Sequence, residues 1–161
     1  MRSKLAKIIS STFDPKRYDL SELVPHKPPL LLIHEVLAVT EQSISVLIDL
    51  SIPSVFHEDD GLVASYVGIE YISQAAAALV GYHRVRQGLD VKIGFLLGTR
   101  LYNSVSNQFD FEEKLIVQVT EEWVDDIIGV YQGQIMQGDN LFASSQIKAI
   151  MPEDHKRLFK R

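Results

Sequence analysis

The spacing of apolar and polar residues changes character several times along the chain. Leu30 to Val39 and Ile44 to Ile52 are rich in branched residues, and the short polar stretch Thr40 to Ser43 lies between them, which predicts two paired strands. Ahead of them Pro25, His26, Lys27, Pro28 and Pro29 forbid a continuing helix, so residues 1–24 are expected to form only a short helical lead-in. Pro53 ends the second strand, and Ser54 to Gly61, with His57, Glu58, Asp59 and Asp60, reads as a loop. From Ser65 to Arg84 the period changes. Val67, Ile69, Ile72, Ala75, Ala76, Leu79 and Val80 are too many apolar positions for one face, which predicts a buried helix. After Gly88 strands are expected again at Lys92 to Tyr102, Lys114 to Trp123, Ile127 to Met136 and Leu141 to Met151. Asp125 with Asp126, and Gly138 to Asn140, supply the last two turns. Leu115, Val117 and Val119 alternate with Ile116, Gln118 and Thr120, as in an antiparallel sheet with one covered face. Two strands, one long apolar helix and four strands make an α+β fold, most economically packed with the sheet wrapped around the helix.

A length of 161 residues suits one domain over 1–161, ending in a basic tail at 152–161. Hydrophobic residues at 46% and charged residues at 23% are ordinary globular values. A net charge of -5 argues against a nucleic-acid ligand. The absence of cysteine excludes disulfides, thiolate nucleophiles and Cys-ligated metals, and fits a reducing compartment. Near the start, Arg2, Lys4 and Lys7 are basic, but Lys7 and the Ser10–Ser11 pair break the apolar stretch, so no signal peptide is expected. No apolar run approaches the roughly 18 residues that span a bilayer. The expectation is a soluble, cytoplasmic protein without membrane or nucleic-acid partners.

Glu70 is the one charged residue between Val67 and Val80, and a carboxylate on so apolar a helix has to be desolvated, hydrogen-bonded or placed beside a cleft. Gln74, four residues on, shares its face. Burial would favour protonated Glu70, a proton donor of the kind a departing hydroxyl needs, and His57 in the loop feeding the helix has the chemistry of a general base. Against this stand plainer readings: Glu70 as a salt-bridged surface group, His57 as an ordinary loop residue and Gln74 as a structural hydrogen-bonding group. Glu58, Asp59 and Asp60 lack ligand-like spacing and read as surface, so no metal is expected. His34 and Glu35 fall on opposite faces of one strand. Ser73 has no G-x-S-x-G setting, and Gly94 and Gly98 make no dinucleotide fingerprint, so no cofactor is indicated.

Three segments resemble one family. Leu23-Val24-Pro25-His26-Lys27-Pro28-Pro29-Leu30-Leu31-Leu32-Ile33 looks like the opening Pro-His turn and first strand of the hotdog-fold 3-hydroxyacyl-[acyl carrier protein] dehydratases. Val67-Gly68-Ile69-Glu70-Tyr71-Ile72-Ser73-Gln74-Ala75 resembles their central helix, and Gly94-Phe95-Leu96-Leu97-Gly98-Thr99-Arg100 is similar to the next strand in the branch associated with aryl polyene biosynthesis. The resemblance covers about residues 20–151. It implies a hotdog fold and loss of water from a 3-hydroxyacyl thioester on acyl carrier protein, giving the trans-2-enoyl thioester. It further implies that His57 and Glu70 act together, contributed by opposite subunits of a homodimer or heterodimer, with helix-start amides near Gly68 holding the thioester oxygen and Gln74 beside them. The carrier protein's acidic surface would meet Arg84, Arg86, Arg100 or the basic tail. One departure stands out: where typical fatty-acid-synthesis dehydratases have His-Phe-Pro-Gly, this chain has Phe56-His57-Glu58-Asp59-Asp60-Gly61. Two further functions fit the same fold, a hotdog acyl thioesterase and a catalytically weak subunit of a paired dehydratase.

Overall fold

The computed structural model describes residues 18–111 and 113–152; residues 1–17 of the expected lead-in and 153–161 of the basic tail lie outside the described residues. The first element, α1 (Leu20–Leu23), is a single helical turn held by a capping box between Asp19 and Glu22. There follow β1 (Glu35–Val39), β2 (Ser43–Ile48), the short β3 (Val63–Ala64), a 3-10 turn at Ser65–Val67 and the long helix α2 (Gly68–Arg86). The chain then returns to strand in β4 (Phe95–Ser104), the short β5 (Gln108–Phe109), β6 (Leu115–Val124), β7 (Ile128–Gln137) and β8 (Asn140–Ile150).

Six strands form one antiparallel sheet in the order β1-β2-β6-β7-β8-β4, and β3 pairs with β5 separately. The alternation along β6 puts Leu115, Val117 and Val119 on the covered face. Register carries that face across four strands, from Val46 through Val117 and Ile135 to Ala143, all buried. Against this curved surface lie Ile72, Ala75, Ala76 and Leu79 of α2, also buried. Gly133 in β7 lets the helix come this close: a Cβ there would sit 2.3 Å from Ile72 Cγ2. A sheet wrapped around one central helix is the hotdog fold.

Boundaries differ from expectation where distant partners intervene. The first strand starts at Glu35 rather than Leu30, because the Gln74 side chain has taken the Leu32 N–H and the Leu30 carbonyl that a neighbouring strand would have bound. The second strand ends at Ile48, where a turn closed by Ile52 N–H on the Asp49 carbonyl reverses the chain. The expected helix start at Ser65 is a 3-10 turn, and the strand expected from Lys92 begins at Phe95. The β3–β5 pair was not expected, since each strand has only two residues. At one border of the sheet β4 pairs, among the described residues, only with β8, which leaves its other edge open there, with Leu96, Leu97 and Leu101 exposed.

Candidate active site

Glu70 stands in the first turn of α2 on a stripe of half-buried positions, with Ser73, Ala77 and Val80, that lies between the buried face and solvent. Its side chain is 38% exposed, so its burial is partial, and of the three expected ways to accommodate this carboxyl on an apolar helix it has two, a hydrogen bond and a place beside a cavity. Gln74, one turn on and fully buried, donates from Nε2 to Glu70 Oε1 at 2.8 Å and to the Leu30 carbonyl at 2.8 Å, while its Oε1 accepts from the Leu32 N–H at 2.9 Å. With both ends of its amide occupied, Gln74 is a clamp between the helix and the Leu30–Leu32 segment.

The turn before that segment brings in His26. It is pinned by Lys27 Nζ on the Ser21 carbonyl and by the Leu30 and Leu31 N–H groups on the Lys27 carbonyl. It passes α2 closely enough that a Cβ on Gly81 would meet the Leu23 carbonyl oxygen. As a result His26 Nε2 lies 3.7 Å from Glu70 Oε1, and His26 Nδ1 is buried without a hydrogen-bond partner among the described residues. Both residues line a cavity of about 130 Å³ whose other walls are mainly apolar, among them Ala77, Val80, Phe95, Ile147 and Met151. Tyr131 of β7 also lines it. Its side chain is 1% exposed, its hydroxyl has no hydrogen-bond partner among the described residues, and burial, with Glu121 adding, pushes its pKa up to about 12, so it stays neutral.

His57 is elsewhere. It lines a second cavity of about 440 Å³ with Leu32, His34, Asp49, Pro53 and Tyr71. Tyr71 follows Glu70 directly, but consecutive helical residues point about 100° apart, so α2 offers the two side chains to different cavities. The ring of His57 is engaged at both nitrogens. Nδ1 accepts from the Ser54 N–H at 2.9 Å, which puts the proton on Nε2, and Nε2–H donates to the Leu50 carbonyl at 2.9 Å. The Ser54 hydroxyl lies 3.0 Å from the same Nδ1. Gly68 is buried, and its own N–H bonds back to the Ser65 and Tyr66 carbonyls of the 3-10 turn. A Cβ on Gly68 would meet the Tyr102 hydroxyl at 2.2 Å, so this glycine serves close packing.

Of the residues singled out in the sequence, then, the protomer brings together Glu70 and Gln74 and leaves His57 apart from them. His26 and Tyr131 were missed as site residues. The inward alternation of Gly129, Tyr131, Gly133 and Ile135 already marked Tyr131 as a buried phenol in need of a partner, whereas nothing local sets His26 apart from any other turn residue.

A family model, ApeP-like (ApeP dehydratase), matches residues 18–160. The chain belongs to the ApeP-like dehydratase family. Among solved structures, this ApeP-like chain resembles the dehydratase heterocomplex ApeI:P from Xenorhabdus doucetiae with a TM-score of 0.83 at 22% identity, over 89% of this chain and 100% of that one. It also resembles the HP0420 homologue from Helicobacter felis, at a TM-score of 0.62 and 11% identity over 92% and 97% of the two chains. A hypothetical thioesterase with coenzyme A from Streptococcus pneumoniae matches at a TM-score of 0.55 and 8% identity over 73% and 84%. At these identities the likenesses speak for the fold. No protein of curated function matches the ApeP-like sequence. Among the described residues no helix is long and apolar enough to cross a membrane, and Glu58, Asp59 and Asp60 are exposed.

Proposed function

We propose that this ApeP-like chain dehydrates a 3-hydroxyacyl thioester carried on acyl carrier protein to the trans-2-enoyl thioester, in aryl polyene or fatty-acid-like biosynthesis. The observation that carries this reading is the Glu70 carboxyl, fixed by Gln74 in a mainly apolar cavity. At about 130 Å³ such a slot has room for the reacting C2–C3 end of an acyl thioester beside the carboxyl. Glu70 gives its proton to the C3 hydroxyl, which leaves as water, while a base removes a C2 proton and the released electron pair forms the double bond. The family resemblance assigns the base to His57 of an opposite subunit. That assignment requires the ring to give up its bond to Ser54 or Leu50 and to reach a Glu70 across an interface.

Pairing with a second hotdog subunit is supported by β4, whose open edge carries Leu96, Leu97 and Leu101. Such an edge is completed by another strand. The solved relative is itself a dehydratase heterocomplex, which favours one second reading, a subunit that works by supporting a more active partner. Arg100 is exposed on the same strand and is available to an acidic carrier protein.

The test is water loss from a 3-hydroxyacyl-carrier protein, followed by mass spectrometry with wild type and Glu70→Gln. Removing a general acid costs on the order of 10²–10⁴ in rate, so the expected variant is nearly silent and still folded. A folded wild type that releases no water alone, but raises the rate of a second hotdog subunit on mixing, would replace the enzyme reading with the supporting one.

A further inference from the structure

We infer that the base working with Glu70 is His26 of the same chain, so that one protomer holds both halves of the acid–base pair; this rests on the dehydratase reading above. The two histidines differ in what each has free. A neutral imidazole has one lone pair to accept a proton and one N–H to donate. In His57 the lone pair is used by the Ser54 N–H and the N–H by the Leu50 carbonyl, both at 2.9 Å. That is the bonding of a residue that ties a loop together. His57 also packs in the Ser54–Val63 segment, bridging to Val63 in strand fashion, and lines a different cavity from Glu70. His26 has the opposite account. Among the described residues no group hydrogen-bonds its ring, Nδ1 is buried and unpartnered, and Nε2 faces Glu70 Oε1 at 3.7 Å, too far for a hydrogen bond and close enough for both groups to address one small substrate fragment.

The cavity supports the same conclusion independently. Buried polar atoms nearly always have partners, and leaving one without costs about 1–3 kcal/mol. This one cavity is lined by two residues with such atoms, His26 Nδ1 and the Tyr131 hydroxyl, the latter on a side chain 1% exposed. Two unpaired polar groups in a cavity that also holds the Glu70 carboxyl, Ser73 and Lys92 between mainly apolar walls describe a place for a substrate that brings its own hydroxyl and carbonyl. The neutral phenol of Tyr131 offers a donor or acceptor to either.

With His26 as base the step balances within one chain. The C2–H bond breaks and its proton goes to a ring nitrogen of His26, the electron pair becomes the C2–C3 double bond, and the C3–O bond breaks as the oxygen takes the proton of Glu70 and departs as water. The product state is an imidazolium beside a carboxylate. Their opposite charges stabilise each other across the short gap, and transfer of the proton from His26 to Glu70 restores the starting pair without help from solvent.

The test uses the full-length chain and the 3-hydroxyoctanoyl thioester of an acyl carrier protein, comparing wild type with His26→Gln, His26→Ala, His57→Ala and Glu70→Gln. His26→Gln keeps a polar group of similar reach but no base. It is expected to lose about 100-fold or more in kcat, with KM little changed and a wild-type melting curve. Exchange of the C2 hydrogen with deuterium from solvent is expected to fall in step, and added imidazole to restore part of the rate in His26→Ala. His57→Ala is expected to melt earlier and to lose less activity than His26→Gln. An active wild type with His26→Gln within about ten-fold of it, and His57→Ala silent though folded, overturns this assignment and returns the base to His57 while leaving the dehydratase reading intact. A wild type that releases no water overturns the dehydratase reading, and this assignment with it.

Discussion

Replacing Gln74 by methionine tests the clamp that sets the candidate site. The side chains are similar in length, so the buried volume is kept and only hydrogen bonding is lost. The amide makes three bonds, from the Leu32 N–H and to the Leu30 carbonyl and Glu70 Oε1. The Leu32 N–H, on a residue 3% exposed, cannot turn to water, and stranding it costs about 1–3 kcal/mol. The Leu30 carbonyl belongs to an exposed residue and rehydrates, so its loss is about 0.5–1.5 kcal/mol. Offsetting these, methionine buries an apolar group where an amide stood, worth about 1 kcal/mol. The net expectation is a destabilisation of about 0.5–3.5 kcal/mol, centred near 2, or a fall in Tm of roughly 1–14 °C for a domain of this size. Glutamate in the same place should be worse at neutral pH. One oxygen still accepts from the Leu32 N–H, but the other faces the Leu30 carbonyl and Glu70, both acceptors, and part of the loss should return in acid as the new carboxyl gains a proton to donate. The assay is urea unfolding followed by circular dichroism at pH 7 and pH 5, with unchanged m-values required. Methionine within about 0.5 kcal/mol of wild type, or glutamate as stable as wild type at pH 7, would refute the clamp.

Tyr131→Phe removes a buried hydroxyl that has no protein partner; the variant should be about 1 kcal/mol more stable in thermal melts and yet turn over more slowly, and equal or lower stability would show that the hydroxyl is satisfied. Gly133→Ala puts a methyl 2.3 Å from Ile72 Cγ2, so a loss of about 1–3 kcal/mol is expected by denaturant titration, and pairing it with Ile72→Ala should cost less than the sum of the two singles. The carboxyl of Asp49 is held down to about 2 from its ordinary 3.8, first by the Ser51 hydroxyl and then by Lys114 at 2.9 Å. The unfolded chain therefore takes up that proton first as pH falls. The contribution is whole above about pH 4 and disappears towards pH 2, so the Tm gap between wild type and Asp49→Asn should close over that interval; a gap constant from pH 6 to pH 2 would contradict it. Burial holds His34 below its ordinary 6.5, and the stability this confers is present above pH 6.5 and declines as pH falls below it, a slope that His34→Gln should flatten in melts between pH 7 and pH 5.

How far the chain could be read unaided depended on the range over which each feature is determined. The alternation in Leu115 to Thr120 and the apolar saturation of Ile69 to Val80 are local, and β6 and α2 stand where those patterns put them. Turn chemistry was equally legible: Asp125 caps the Ile127 and Ile128 N–H groups at the β6–β7 reversal. Leu30 to His34 has the composition of a strand and is not one, because its partner is a side chain 44 and 42 residues away. The site divides in the same way. Glu70 and Gln74 share a helical face and could be paired from spacing alone. His26 reaches Glu70 only because α1, the proline-rich turn and Gly81 fold one stretch of chain onto another, and no periodicity encodes that approach.

The open edge of β4 also bears on how such a chain can be made. Its ten residues carry a single charge, Arg100, and no proline, so against sticking to other strand edges it has little beyond that charge and the register irregularities at Leu96–Gly98 and Thr99–Tyr102. Until a second strand closes it, newly made protein presents a template for unwanted association, at a rate that rises with its own concentration. Under the proposed pairing, supply of the chain would be tied to supply of the subunit that completes the sheet: surplus copies would pair with themselves or be lost to aggregation.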